Sequence, residues 1–203
     1  MIPIGYVKTL NVRPVIPLEG QEIDEVLITK YGVSGDMLYS LIDESKSIEY
    51  SWMKPLDKED LRSFKLYKTY RKEGKWKVKI ISQEGDICDI EDDQFLAYLA
   101  GRYKHYFELV KHPADQRKDI IITIEQASTD TKLTRGEYDT PLSPHILWRI
   151  QSPIHSFLQT QTIQMGEIAQ VQLSPVSPHT YKAKVVQEGI IKRGDHIKIV
   201  TNF

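Results

Sequence analysis

Residues 31–43, "YGVSGDMLYSLID", decide how the chain is to be read. A Gly-x-x-Gly-Asp followed by an apolar run is either a loop that cradles a phosphate or the corner of a hairpin. A phosphate loop needs a helix after its glycines, so that backbone N–H groups and the helix dipole converge on the anion. Here the residues after Gly35 and Asp36 alternate as a strand does. The stretch "KRGDHIKIV", residues 192–200, repeats the arrangement, with Gly194 and Asp195 preceding another alternating run. Glycine enters positive φ without steric penalty, so both Gly-Asp pairs read as tight turns between strands. The reading is scaffold rather than site.

Working outward, strand period dominates. "YVKTLNV" (6–12), "EVLITKY" (25–31), "MLYSLIDE" (37–44), "DIIITIEQ" (119–126), "EIAQVQLS" (167–174), "YKAKVVQ" (181–187) and "HIKIVTNF" (196–203) all alternate or are short apolar runs. "FKLYKTYRK" (64–72) and "KWKVKIIS" (75–82) flank a turn at Gly74 and predict a hairpin. Helical signal is sparse. "PLDKEDLRSF" (55–64) predicts a short helix from its Pro55 and acidic first turn. "EDDQFLAYLAGRY" (91–103) predicts a firmer one, capped by Asp92 or Asp93, with Phe95, Leu96 and Leu99 on one face and Gly101 placed to end it. "SPHILWRIQSPIHSFLQ" (143–159) suggests one helix broken by prolines, and "KLTRGEYDTPLSPH" (132–145) is the clearest loop. Many strands with few helices give a mostly β fold with minor α, of β-barrel class.

At 203 residues the chain can bury one larger core or two small ones. Its formal net charge of -1 provides no global field toward nucleic acid or an anionic membrane. No apolar run approaches the roughly 20 residues that span a bilayer. "MIPIGYVKTLNVRPV" (1–15) carries no apolar stretch with a small-residue cleavage site, so no signal peptide and a cytoplasmic protein are expected. Cys88 is the single cysteine, which excludes a disulfide framework and a cysteine-based zinc site within one chain. Its acidic neighbours in "GDICDIEDD" (85–93) raise a thiol pKa, the opposite of what a nucleophile needs. The six histidines lack metal-ligand spacing, and no Ser/His/Asp set is defensible from order alone. The hairpin at residues 64–80 interleaves lysines with Phe64, Tyr67, Tyr70 and Trp76, as single-strand-binding faces do. A lysine-rich solvated face is the plainer reading, and the balanced overall charge weighs against nucleic acid.

Three stretches together resemble a known family. "GYVKTLNVRPVIPLEGQEIDEVLITKYGVSGDMLYSLIDE" (5–44) looks like the N-terminal barrel that precedes the MOSC (molybdenum cofactor sulfurase C-terminal) domain. "VKIISQEGDICDIEDDQFLAYLAGRYKHYFELVK" (78–111) resembles that family's middle passage, and "YKAKVVQEGIIKRGDHIKIV" (181–200) its closing strands. The resemblance implies a MOSC-like β-barrel divided into residues 1–85 and 86–203, packed as one unit. It also implies molybdenum-cofactor binding, sulfur transfer, or reduction of N-hydroxylated compounds. The residues for that chemistry are where the chain departs. Ile16 stands where the family's strand offers lysine, Met37 where arginine follows Gly-Asp, and His179 where a cysteine follows proline.

A pyranopterin phosphate wants cations, and molybdenum wants a soft thiolate. The expectation is therefore a divergent MOSC-like protein that binds a small anionic or aromatic ligand between its halves, with no cofactor. Arg13, Arg149 and His179 are the candidate contacts, from segments that flank the family's pocket. Two alternatives stay open. One is an active MOSC enzyme carrying the molybdenum cofactor, a sulfur carrier or reductase. The other is a nucleic-acid or protein interaction barrel that uses the hairpin.

Overall fold

The computed structural model describes residues 3–16, 18, 20–43, 65–73, 75–82, 84–103, 107–113, 120–126, 146–150, 158, 161–177 and 179–200. The short helix expected at 55–64, the loop at 132–145 and the hairpin's Gly74 lie outside the described residues. The strands are β1 (Pro3–Val12), β2 (Val15–Ile16), β3 (Gln21–Ile23), β4 (Glu25–Thr29), β5 (Gly32–Val33) and β6 (Tyr39–Asp43). They continue as β7 (Lys65–Lys72), β8 (Lys75–Ile81), β9 (Ile87–Asp89), β10 (Phe107–Lys111), β11 (Ile120–Gln126) and β12 (Ile146–Ile150). The last are β13 (Thr162–Met165), β14 (Ala169–Ser177), β15 (Thr180–Gln187), β16 (Gly189–Lys192) and β17 (His196–Val200). One helix, α1 (Asp93–Tyr103), stands among the described residues. The fold is mostly β, with a closed seven-stranded barrel.

Contacts group the chain into two compact units that interleave in sequence. The first comprises Met1–Val12, Glu22–Ser34 and Asp115–Phe203, and the second Arg13–Gln21 and Gly35–Ala114.

The first unit holds the barrel, in the order β12-β11-β15-β14-β13-β17-β1, with β1 returning to β12. All neighbours are antiparallel except β11 and β12. Alternation fills the interior. Ala169, Val171 and Leu173 of β14, and Tyr181 and Ala183 of β15, are buried, while Gln172, Ser174, Lys182 and Lys184 between them are exposed. β12 puts Ile146, Trp148 and Ile150 inside. That strand corrects the expectation of a broken helix at 143–159: Ile-Leu-Trp-Arg-Ile has period two, and sheet partners on both sides take its backbone groups. The rest of that stretch, apart from Leu158, lies outside the described residues.

Closure falls on β1, whose residues pair with β17 on one side and β12 on the other. Gly5 sits at this seam, opposite Ile150 and Ile197. A Cβ there would stand 2.2 Å from the carbonyl oxygen of Arg149. The register shifts beside Gly5 on the β17 side and between Val7 and Thr9 on the β12 side. Such irregularities bend a strand and increase its twist, as closing a sheet requires.

The second unit contains two three-stranded sheets, β10-β6-β2 and β7-β8-β9, together with α1. Its core is built on Leu18, Tyr39, Leu41, Val78, Ile80, Ile90, Phe95 and Leu99. Asp92 caps α1, its carboxylate accepting the Gln94 N–H at 3.0 Å. Phe95 and Leu99 face inward as expected. Gly101 does not end the helix, which runs on to Tyr103. Gly101 takes no positive φ, so nothing unwinds the last turn there.

Both Gly-Asp pairs are turns, and they work alike. Gly35 has φ +88° and Gly194 φ +89°. Buried Asp36 accepts the Arg13 N–H at 2.7 Å, and Asp195 accepts the Lys192 N–H at 2.8 Å. Around the first, the N–H groups of Met37 and Leu38 donate to the carbonyls of Arg13 and Pro14, each at 2.8 Å. Around the second, Gly194 donates to Val7 O at 2.8 Å, and Val7 donates back to Asp195 O at 2.9 Å.

The Gly5 seam generates a prediction. Gly5→Ala forces the β1–β12 contact apart and is expected to cost on the order of 1–3 kcal/mol, as overpacking does. Thermal unfolding followed by circular dichroism should then show a midpoint several degrees lower. An unchanged midpoint would mean that the seam is loose.

Candidate functional site

In the second unit four polar side chains from four elements meet. Tyr39 opens β6 and lies directly opposite Lys111, which ends β10. Lys77 comes from β8, the central strand of its sheet. Glu91 comes from the short link between β9 and α1, where its N–H donates to Asp89 Oδ1 at 3.1 Å. That turn aims the Glu91 carboxylate at the other three. Its Oε1 accepts from Lys111 Nζ at 2.6 Å and from Tyr39 Oη at 2.9 Å, and its Oε2 accepts from Lys77 Nζ at 2.6 Å. The Lys111 ammonium also stands 5.5 Å from the Tyr39 ring centre, in cation–π range.

The electrostatics follow from these contacts. Hydrogen bonds from Lys111 and then Lys77 hold the Glu91 carboxyl at about 2, far below its usual range. Burial first, and then the bond to Glu91, push the Tyr39 phenol well above its ordinary value. The same carboxylate raises Lys77. Glu91, Tyr39 and Lys77 are each displaced away from neutrality, so none of these three is poised to move a proton near pH 7, as a general acid or base must be. Two ammoniums share the Glu91 carboxylate beside an aromatic ring, and the Asp89 carboxylate acts on Lys77 and Tyr39 as well. Chemically the arrangement is a fixed electrostatic clamp. It suits holding an anion better than transferring a proton.

On β6 the next residue, Ser40, is buried and its Oγ lies 2.6 Å from Nε2 of His112. The His112 N–H donates to Leu38 O at 2.8 Å. Side chain and backbone together fasten the end of β10 to β6.

The residues chosen from the sequence stand on three separate elements. Arg13 belongs to the second unit, between β1 and β2, at the Asp36 corner. Arg149 belongs to the first unit, on β12, half-buried between the inward-facing Trp148 and Ile150 and opposite Tyr6 of β1. His179 is exposed in the tight turn from β14 to β15, also in the first unit. Cys88 lies on β9, where burial, followed by Asp92, Asp89 and Asp86, raises its thiol pKa. Among the described residues no group of three or more His, Cys, Asp or Glu side chains is arranged to hold a metal.

Sequence reasoning passed over Tyr39, Lys77, Glu91 and Lys111 as a set. Their positions are separated by 14 to 52 residues along the hydrogen-bonded pairs, so no local spacing marks them. The one available signal was an acidic residue just ahead of the Asp92 cap.

The clamp predicts a pH effect with a definite sign. Glu91 has a folded pKa depressed from 4.5 to about 2, so its contribution is present above the unfolded pKa and is lost as pH falls through that window. Urea unfolding of the native chain should lose stability between about pH 5 and pH 2, while Glu91→Gln should lose less over the same range. Equal acid sensitivity in the two proteins would remove the clamp from the account.

Comparison with models of known families, with curated proteins and with solved structures gives no match.

Proposed function

We propose that the chain is a divergent MOSC-like protein that binds a small anionic ligand without molybdenum–thiolate chemistry. One observation carries the reading. The segments that the resemblance associates with cofactor binding, Arg13–Ile16 and Met37–Tyr39, are hydrogen-bonded to each other in the second unit. Both have lost the family's cation, at Ile16 and Met37. Yet β10 brings Lys111 across from Tyr39 at this same corner, and Glu91 ties Lys77 to it. Two cations from other elements are thus gathered at Glu91 and Tyr39, the latter two residues after Met37. An anion entering here meets the Lys111 ammonium, its side chain being 61% exposed, while the Tyr39 ring lies buried beneath that ammonium. Charge-assisted hydrogen bonds of this kind are the stronger ones.

The donor set does not fit molybdenum. A soft thiolate is wanted. Cys88 is held toward its protonated form by burial and three aspartates, and His179 supplies an imidazole in place of sulfur. For the alternative, an active MOSC enzyme, a thiolate ligand from this chain could come only from Cys88, its single cysteine.

Pyrophosphate serves as the probe. At a hundred times its dissociation constant it should stabilise the fold by about 2.7 kcal/mol, readable as a rise in thermal midpoint. Lys111→Gln should lose most of that rise. Absence of any rise with pyrophosphate or inorganic phosphate would sink the anion reading. Elemental analysis addresses the alternative: about one molybdenum per chain, retained through gel filtration, would favour the enzyme.

Cys88→Ser offers a separate check. It should leave pyrophosphate binding intact, because the thiol is neither a low-pKa nucleophile nor part of the clamp. Loss of binding in a folded Cys88→Ser protein would return a role to the thiol.

A further inference from the structure

The balanced charge of the chain conceals a sharp separation. Residues 65–79 carry seven cations against the single carboxylate Glu73, whereas residues 84–93 carry six carboxylates and no cation. The register of the β7–β8 hairpin puts five of these cations on one face, while Arg71, opposite Trp76, falls on the other. Lys68 lies directly opposite Lys79, Tyr70 opposite Lys77, and Lys72 opposite Lys75. Side chains two apart on a strand share a face, so these three pairs form one continuous row. The intervening pair, Thr69 with Val78, points toward the buried side, where Val78 belongs to the core.

The acidic segment answers only the base of the row. Asp89 lies beside Lys79, and Glu91 takes Lys77. Lys68, Lys72 and Lys75 are exposed, and no ion pair among the described residues holds them. Like charges directly opposite each other destabilise a sheet. Guarding the edge strand β7 against aggregation would require lysines on β7 alone. Lysines 75, 77 and 79 sit on the central strand, where they protect no edge. Aromatic surface adjoins the charges: Tyr67, left without a strand partner by the register shift between Leu66 and Lys68, is 50% exposed, and the Lys68 ammonium stands 5.8 Å from the Tyr70 ring centre.

From this juxtaposition we infer that the β7–β8 face binds single-stranded nucleic acid. Phosphates are taken by Lys68, Lys72 and Lys75, and bases stack on Tyr67 and Tyr70. Stacking on aromatics between cations is the chemistry of sequence-tolerant single-strand binding. A duplex keeps its bases paired and offers those rings little. The site uses side chains other than Lys111 and Glu91 and does not rest on the small-anion reading.

The test is fluorescence anisotropy of a labelled oligothymidylate with the full chain, across a salt series. Binding should weaken steeply with salt. The combined Lys68→Glu, Lys72→Glu and Lys75→Glu variant should bind roughly a hundredfold more weakly at low salt, with a log–log salt slope about 2 units shallower. Tyr67→Ala should weaken binding about tenfold or more while leaving that slope unchanged, since it removes stacking and no charge. Lys184→Glu, the same charge change at an exposed site on β15, should leave binding unaltered. Circular dichroism of each variant confirms folding, and Lys→Gln changes at the same three positions replace any variant that fails. No binding at low salt overturns the inference. So does equal affinity for heparin or for a duplex of the same length, or indifference to Tyr67→Ala, because either would mean a generic polyanion surface.

Discussion

The closed barrel depends on the approach of two backbones at Gly5. Strand β1 must pair on both sides, and its neighbour β12 passes so near that the Arg149 carbonyl occupies the space of a side chain. An open sheet would leave two edges with unpaired N–H and C=O groups, which either associate or must be defended. Closure removes them and encloses a continuous apolar interior, with Trp148, Tyr181 and the isoleucines of β11 and β12 at its centre. Register shifts flanking the seam provide the extra bend. The first unit therefore owes its integrity to a residue without a side chain.

The same economy appears at the two Gly-Asp corners. Each uses a glycine at positive φ to reverse the chain and an aspartate to accept a backbone N–H, that of Arg13 from a distant segment at the first and that of Lys192 within the turn at the second. At the first corner the aspartate is buried, so its hydrogen bond joins segments 23 residues apart. That bond, with the donations to Arg13 O and Pro14 O, places Tyr39 at the start of β6, which in turn places its ring beneath Lys111. Scaffold and candidate site are thus linked causally. The corner is no phosphate cradle, yet it positions the ring beside which we propose that an anion binds.

Charge separation supplies the second theme. The acidic turn between β9 and α1 does two things: Asp92 caps the helix, and Glu91 gathers lysines from two sheets. Fully exposed ion pairs contribute little to stability. Here the carboxylate is partly sheltered and satisfies three donors at once, so it fixes geometry as well as charge. It spends the acidic segment's charge on Lys77 and Lys111. The outer half of the hairpin is left basic, even though the whole chain is nearly neutral.

Local order along the chain was enough for the fold class, because strand period two, turn glycines and helix caps depend on neighbours within a few residues. The hairpin, the α1 cap with its Phe95–Leu99 face, and the turn nature of Gly35-Asp36 and Gly194-Asp195 were all legible in that way. The short strands β10 and β16 were not, since Phe-Glu-Leu-Val-Lys and Gly-Ile-Ile-Lys each break the apolar–polar alternation with an adjacent apolar pair. The stretch around Trp148 misled, because nearby prolines and an apolar run mimic a broken helix until a sheet claims the backbone. Composition also showed a near-zero net charge but not where the charges gather, which depends on which strands face each other. Only tertiary structure decided the barrel's strand order, the interleaving of two units, and the meeting of Tyr39, Lys77, Glu91 and Lys111. Those are contacts between distant parts of the chain, and antiparallel pairing leaves no trace of its partner in the sequence of either strand.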